Sequence, residues 1–333
     1  MNLVTGGTGL LGSHIVEKLC QSGQKVRALV RRGSDASFLD SLGVEKAYGD
    51  VTDAASVLAA MRGVRVVYHA AARVGDWGPW QEFEDITIRG TGNMVQAAIE
   101  AKVQRFLHIS SISAYGHVDG AGLVLDETAP LGVNLSRWSY YSRAKVAAEQ
   151  VVWTAHKRGL LPLTVIRPSW LYGERDRASM PRLIRAIRRR KTRLLGDGAN
   201  RLNLTYAGNE ADGCILAANA PKAVGQAYNL CNDGQITQAQ YFNRIAQEIS
   251  CPPVTRTVPY KLAHRAAFMM ECMGHLFGRK TPPLVTRYSV WLIGRQVFFS
   301  TDKIRRELGY VPAVGYDEGI RRSVAWALAN SQC

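Results

Sequence analysis

Leu3-Val4-Thr5-Gly6-Gly7-Thr8-Gly9-Leu10-Leu11-Gly12, near the start of a 333-residue chain, decides the fold. A short apolar run ends in Gly6, Gly9 and Gly12, and a helical pattern follows over Leu11–Ser22. Glycines placed this way allow a tight turn, close approach of the backbone to a pyrophosphate and close packing of helix on strand. The helix start adds unpaired N–H groups and the positive end of the helix dipole. The stretch therefore reads as strand, phosphate loop and helix of a dinucleotide-binding βαβ unit. Gly6, Thr8, Gly9, Leu10, Leu11 and Gly12 are its cofactor contacts.

Outward from this stretch, apolar strands alternate with helical patterns. Strands are expected at Leu3–Thr5, Lys25–Val30, Val44–Tyr48, Val64–His69, Arg105–Ser110 and Leu163–Arg167. Helices are expected at Leu11–Ser22, Ala54–Met61, Ile88–Lys102 and Tyr141–Arg158. The strands are rich in Val, Ile and Leu with little alternation, as strands buried on both faces are. This order predicts an α/β fold, a Rossmann-type doubly wound parallel sheet over residues 1–168. Residues 169–333 are expected to form mainly a smaller, discontinuous substrate domain, with 201–235 returning to the sheet through Gln226–Leu230. A helix at Thr237–Glu248 has Thr237 as its N-cap.

Composition limits the alternatives. The apolar fraction is 47% and the charged fraction 21%, ordinary for a globular protein. Cysteines at 20, 214, 231, 251, 272 and 333 have irregular spacing and no CxxC pair. This argues against a disulfide framework or zinc site and fits a reducing cytoplasm. With Cys333 in the last position, no prenylation box is expected. The first strand begins almost at Met1, so no signal peptide is expected. No stretch approaches the ~18–20 apolar residues of a membrane span. The seven histidines lack paired ligand spacing, so no metal site is expected. The net charge of +15 favours anionic partners. Its densest run, Arg182–Arg193, reads first as a solvated helix face. No recognition motif supports nucleic-acid binding.

Cofactor choice is read at the end of the second strand. An NAD enzyme usually carries a carboxylate there for the ribose hydroxyls. This chain has Arg31, 19 residues after Gly12, followed by Arg32. A guanidinium suits a 2′-phosphate, so NADP(H) is favoured over NAD(H). Asp50 and Val51 are expected near the adenine, and Ala70, Ala71 and Ala72 are small enough for a cofactor to lie across them.

Tyr141-Ser142-Arg143-Ala144-Lys145 places a tyrosine and a lysine at i and i+4, one face of a helix. A phenol with a pKa near 10 is a poor acid–base group at neutral pH. An ammonium ~4 Å away would favour the phenolate by roughly 4 kcal/mol at an effective dielectric of ~20. Ser110-Ser111 ends the fifth strand and supplies a hydroxyl to orient a carbonyl or alcohol. Ser111 is preferred, with Ser110 and Ser113 as alternatives.

The chain resembles the extended short-chain dehydrogenases/reductases. TGGTGLLG (5–12), HAAA (69–72), ISS (109–111), YYSRAK (140–145) and RPSWLYG (167–173) follow that family's order across nearly the whole chain. Gly75-Asp76-Trp77-Gly78, Leu195-Gly196-Asp197-Gly198 and Ser300-Thr301-Asp302 before Leu308-Gly309-Tyr310 resemble its 3β-hydroxysteroid dehydrogenase/isomerase branch. That branch includes sterol-4-carboxylate 3-dehydrogenases and 2-alkyl-3-oxoalkanoate reductases. The resemblance implies a Ser111–Tyr141–Lys145 triad, contacts to the nicotinamide side near Pro168 and Ser169, and a homodimer through Ile88–Lys102 and Tyr141–Arg158. One departure is Thr87, which stands where the family often has asparagine.

The expected chemistry is reversible hydride transfer at a secondary alcohol or ketone of a large apolar substrate, a 3β-hydroxysterol or a 3-oxo/3-hydroxy acyl compound. A nucleotide-sugar epimerase or dehydratase and a non-catalytic cofactor sensor are the alternatives. Tyr260–Phe299 is rich in Met, Phe, Tyr and Trp and is broken at Pro282–Pro283. It is expected either to form a mobile apolar cover that can lie against an anionic membrane, or to pack as core of the second domain. Met269, Met270 and Met273 line a lipid pocket in the first reading and fill helix core in the second.

Overall fold

The structure, a computed structural model, describes residues 1–330; Cys333 lies outside them. Seven parallel strands form the central sheet: β1 (Asn2–Thr5), β2 (Val26–Val30), β3 (Glu45–Tyr48), β4 (Val66–His69), β5 (Arg105–Ile109), β6 (Leu163–Pro168) and β7 (Gln226–Leu230). Each lies within two residues of the range its sequence pattern predicts. All pairings are parallel, and the spatial order is β7-β6-β5-β4-β1-β2-β3. The fold is thus a doubly wound Rossmann-type sheet. Chain order reverses between β1 and β4, and a ligand crevice opens beyond the strand ends at such a switch point.

Helices cover both faces. On one side α1 (Leu10–Gln21) packs against a later helix, Ala207–Asn219. On the other lie α2 (Ala54–Ala60), α3 (Gly90–Glu100) and α4 (Tyr140–Lys157). Two apolar cores result, one per face of the sheet. The expected single helix Ile88–Lys102 is modified at its start. A π-helical turn, Glu84–Arg89, leads into α3 at Gly90. Gly90 is required there, because a Cβ would meet the Val51 side chain at 2.8 Å.

A second lobe follows β6. Its core joins α5 (Ser179–Arg188), α7 (Gln238–Glu248) and the last helix, Tyr316–Asn330, around Tyr172, Ile184, Leu204, Tyr241 and Ile245, while the intervening helix Ala207–Asn219 already named (α6) stays in the core on the α1 face of the sheet. Thr237 caps α7 with a full capping box, its side chain accepting from the Gln240 N–H. The basic run begins on α5, which buries Met180, Pro181, Ile184 and Ile187 and turns Arg182, Arg185 and Arg188 outward.

Tyr260–Phe299 folds as α8 (Tyr260–Leu276), a connection through Pro282-Pro283, α9 (Arg287–Gly294) and a short strand, Phe298–Phe299. That strand pairs with Val124–Leu125. Both readings of the methionines need correction. Met269, Met270 and Met273 are exposed, so they neither fill the core nor line a pocket. The buried apolar residues of this segment are Ala267, Val290, Trp291, Val297 and Phe299 instead.

Candidate active site

β1 ends at the glycine loop, and the loop geometry explains each glycine of the motif. Gly6 has φ +69°, and a Cβ there would lie 3.0 Å from the Ala71 nitrogen on the β4 side. At Gly12 a Cβ would sit 2.1 Å from the Gly6 carbonyl oxygen, so helix and loop touch through backbone alone. Gly9 is the N-cap of α1, with no side-chain cap and no acidic residue in the first turn. The first N–H groups at Leu10, Leu11 and Gly12 therefore remain for a phosphate, which is the donor set a dinucleotide needs. Thr8 lies in the loop itself.

The two loops of the crevice are held together by a buried relay. Thr5 Oγ1 shares a 2.8 Å hydrogen bond with His69 Nδ1 and accepts from the Ala71 N–H at 3.1 Å. His69 Nε2 meets Thr91 Oγ1 at 3.0 Å. Thr87 Oγ1 accepts from the Arg73 N–H at 2.9 Å. The threonine that replaces asparagine thus anchors the chain after Ala70–Ala72. Burial holds His69 and His108 well below the usual histidine pKa, so both are neutral packing residues.

Arg31 and Arg32 follow β2 and are exposed on a cleft shared with Ser34, Asp50 and Asp53. Arg32 lies 5.8 Å from the Tyr48 ring centroid. Asp50 spends one oxygen on a local turn, accepting from the Thr52 N–H and hydroxyl at 2.9 and 2.8 Å. Val51 is buried, and its carbonyl accepts from Asn93. Pro168 closes β6, while the Ser169 hydroxyl donates to the Cys231 carbonyl at 2.7 Å.

Tyr141 and Lys145 lie on the first turns of α4, against the end of β5. The three neighbouring serines have different partners. Ser110 donates to Glu149 at 2.6 Å and Ser113 shares a 2.8 Å bond with the Tyr288 hydroxyl. The Ser111 hydroxyl accepts from the Ser113 N–H at 3.1 Å and is the serine whose side chain acts on the Tyr141 phenol. The lysine geometry differs from the sequence expectation. Lys145 is 4% exposed, donates to the Ile109 carbonyl at 2.8 Å and stands 6.0 Å from the Tyr141 ring centroid. The amine makes its hydrogen bond to a strand-end carbonyl rather than to the phenol. Burial consequently pushes the Tyr141 phenol up, and the Ser111 hydrogen bond opposes it. Burial also pulls Lys145 down to about 8, against the pull of Glu149.

Sequence reasoning missed the strut beneath this pair. Glu149, one turn after Lys145, is fully buried and receives Arg167 at 2.5 Å, Ser110, and Trp153 at 3.1 Å. Arg167 also donates to the Tyr115 hydroxyl at 2.8 Å. Removing one partner would strand a buried charge, at a cost of roughly 3–5 kcal/mol. The available signal was an arginine inside an otherwise apolar strand.

A cavity opens onto Tyr141 from the other side. Asp76, Trp77, His117, Trp138, Tyr288 and Trp291 are among its walls, with Tyr260, His264, Glu271 and His275 contributed by α8. Tyr288 meets Tyr141 edge to face, with centroids 6.0 Å apart. His275 lies between Trp77 and Trp138, at 4.4 and 4.6 Å. Arg287 is tied to Glu271 at 2.6 Å, and Thr286 donates to Asp76. Burial lowers His117 to about 4 and raises Asp76. No group of metal-ligating side chains occurs among the described residues.

The geometry can now be set beside known proteins. Residues 2–231 match the model of the NAD dependent epimerase/dehydratase family. A 2-alkyl-3-oxoalkanoate reductase of Stenotrophomonas maltophilia is 31% identical, over 98% of this chain and 99% of its own. The mouse sterol-4-alpha-carboxylate 3-dehydrogenase (decarboxylating) is 29% identical, over 96% and 89%. The crystal structure of gox2253 superposes with a TM-score of 0.82 at 28% identity, over 100% and 99%. DesIV, a dTDP-glucose 4,6-dehydratase from Streptomyces venezuelae solved with NAD bound, shares the fold with a TM-score of 0.78 at 23% identity, over 99% and 97%. With its glycine crevice, its Tyr–Lys helix and these full-length relatives, the chain belongs to the NAD dependent epimerase/dehydratase family of extended short-chain dehydrogenases/reductases, as a nicotinamide-dependent oxidoreductase acting on hydroxyl and keto groups.

Proposed function

We propose that this enzyme reduces the ketone of a large apolar 3-oxo compound, an acyl chain or a sterol-like ring, with Tyr141 as the proton donor and NADP(H) as the preferred cofactor. The observation that carries the reading is the aromatic cavity that opens onto Tyr141. The bound nicotinamide supplies the hydride in reduction and accepts it in oxidation. Tyr141 gives its proton to the carbonyl oxygen in reduction and takes the hydroxyl proton in oxidation. Ser111 orients the reacting oxygen beside it. A phenol raised by burial keeps its proton at neutral pH, which favours the acid role and hence reduction. Lys145, held between the Ile109 carbonyl and the ring of Tyr141, keeps positive charge near the site below about pH 8.

Arg31 and Arg32 support the cofactor preference, since neither is paired with a carboxylate among the described residues. An epimerase acting on nucleotide sugars would need cations for a diphosphate. Arg287 is the one arginine on the cavity wall, and it is already paired with Glu271. The basic residues 182–193 line no part of that cavity. The relatives named as reductase and dehydrogenase also favour redox turnover over epimerisation.

The test is a panel of 3-oxo acyl compounds, 3-ketosterols and nucleotide sugars, followed by NADPH and NADH absorbance. Wild type should consume NADPH with an apolar 3-oxo compound. Tyr141→Phe should lose about 10²–10⁴ in turnover, the usual worth of general acid–base catalysis, with cofactor affinity changed no more than a few-fold. Turnover of the variant within about tenfold of wild type would remove Tyr141 from the role. Turnover of a nucleotide sugar without net cofactor consumption would establish the epimerase reading instead.

A further inference from the structure

Helix α8 has two faces of different character. Tyr260, His264, Glu271 and His275 face the cavity. Leu262, Met269, Met273 and Leu276, at helical spacing, face solvent and continue into Phe277 and Leu284. Of seventeen exposed large apolar side chains among the described residues, eight fall between 262 and 284. Leu276 is 79% exposed, Phe277 71% and Met269 65%. Apolar side chains exposed singly need no explanation, but a contiguous patch of this kind marks an interaction surface.

The charges around the patch are of one sign. Lys261 and Arg265 flank its start, and Arg279 and Lys280 its end, all exposed. The single carboxylate between residues 256 and 287 is Glu271, which is buried and paired with Arg287. The basic helix α5 joins the same rim, because Arg182 donates to the Leu284 carbonyl at 2.5 Å. The first arginine of the densest cationic run thus meets the end of the exposed apolar segment, although the two are far apart in sequence.

We propose that this surface docks on an anionic lipid bilayer, with the outer face of α8 and the Phe277–Leu284 connection inserted at the level of the headgroups. A protein partner would bring mixed polar contacts, whereas a rim of cations around inserted Leu, Met and Phe matches anionic headgroups over acyl chains. The chain remains peripheral, since no helix among the described residues is long and apolar enough to cross a membrane. Because the inner face of the same helix walls the cavity at Tyr141, docking places that cavity next to the phase in which an apolar substrate dissolves. The docking itself does not depend on which reaction the enzyme catalyses.

Sedimentation with vesicles of phosphatidylcholine, alone or with phosphatidylglycerol, at low and high salt tests the proposal. Wild type should bind the anionic vesicles and lose affinity as salt rises. The double variant Leu276→Glu/Phe277→Glu should bind at least about tenfold more weakly, because two large apolar side chains no longer leave water. Its melting temperature and cofactor affinity should match wild type, since both side chains are exposed. Lys261→Glu/Arg265→Glu gives a second reading through the rim alone and should abolish the difference between the two vesicle types. Three results would overturn the proposal. The first is no binding of wild type to anionic vesicles. The second is equal binding by the double variant, which would mean plain adsorption of a chain with charge +15. The third is self-association of wild type, lost in the double variant, with no vesicle binding, which would make the occupant a second copy.

Discussion

The glycine loop and the aromatic roof, at two ends of one site, hold their shapes by different means. At the loop the close contacts are backbone to backbone. A Cβ at Gly12 would stand 2.1 Å from the Gly6 carbonyl, and carbonyl oxygens cannot turn aside. At the roof the contacts are ring to ring and span great distances in sequence: Trp77 with His275, Trp138 with His275, Tyr141 with Tyr288. Side chains can rotate where a backbone cannot. The loop should therefore fail abruptly when crowded, and the roof should give by degrees.

Gly12→Ala should have the largest effect. The new methyl has no place to go, so helix α1 must leave the loop and the phosphate donors must disperse. We expect cofactor affinity to fall by at least about a hundredfold, together with a loss of stability of at least the 1–3 kcal/mol usual for overpacking. Fluorescence titration with NADPH and a thermal melt measure both. Affinity within a few-fold of wild type would show that the loop is softer than its contacts imply.

Gly274→Ala is the matching test of the roof. Its Cβ would meet the Trp77 ring at 2.8 Å, and that ring is also held by a 2.9 Å bond to the Arg279 carbonyl. A strain of about 1–3 kcal/mol is expected, relieved by movement of the ring. KM for an apolar substrate should rise about tenfold, while cofactor affinity should stay within twofold. A change in cofactor affinity as large as that in KM would show that the two ends are not separable.

Arg31→Asp sharpens the comparison from the cofactor side with the smallest expected effect, because the residue is exposed and screened. The ratio of NADP to NAD affinity should fall by roughly tenfold, as one charged contact to the 2′-phosphate is replaced by repulsion. An unchanged ratio in paired titrations would assign phosphate reading to another group.

The sequence by itself determined the parts whose causes are local. Gly6, Gly9 and Gly12 announce a loop because Gly6 needs its positive φ, Gly12 leaves no room for a Cβ, and Gly9 starts the helix without a side-chain cap. Tyr141 and Lys145 share a face because a helix repeats every 3.6 residues. The apolar runs of six strands read as buried strands from sequence alone, whereas β3, Glu45-Lys46-Ala47-Tyr48, is an edge strand with no buried residue. Tertiary structure alone decided what depends on distant segments meeting. Ser111 is set apart from Ser110 and Ser113 only because Glu149 and Tyr288 occupy the other two. Lys145 reaches the Ile109 carbonyl rather than the phenol because β5 ends beside it. The cavity draws its walls from residues 76–78, 117–142 and 260–291, and no periodicity within one segment reports the approach of another. For the same reason the composition of α8 reveals an amphipathic helix but not which face looks inward. That was settled when Trp77 and Trp138 closed on His275 and left Met269, Met273 and Leu276 in solvent.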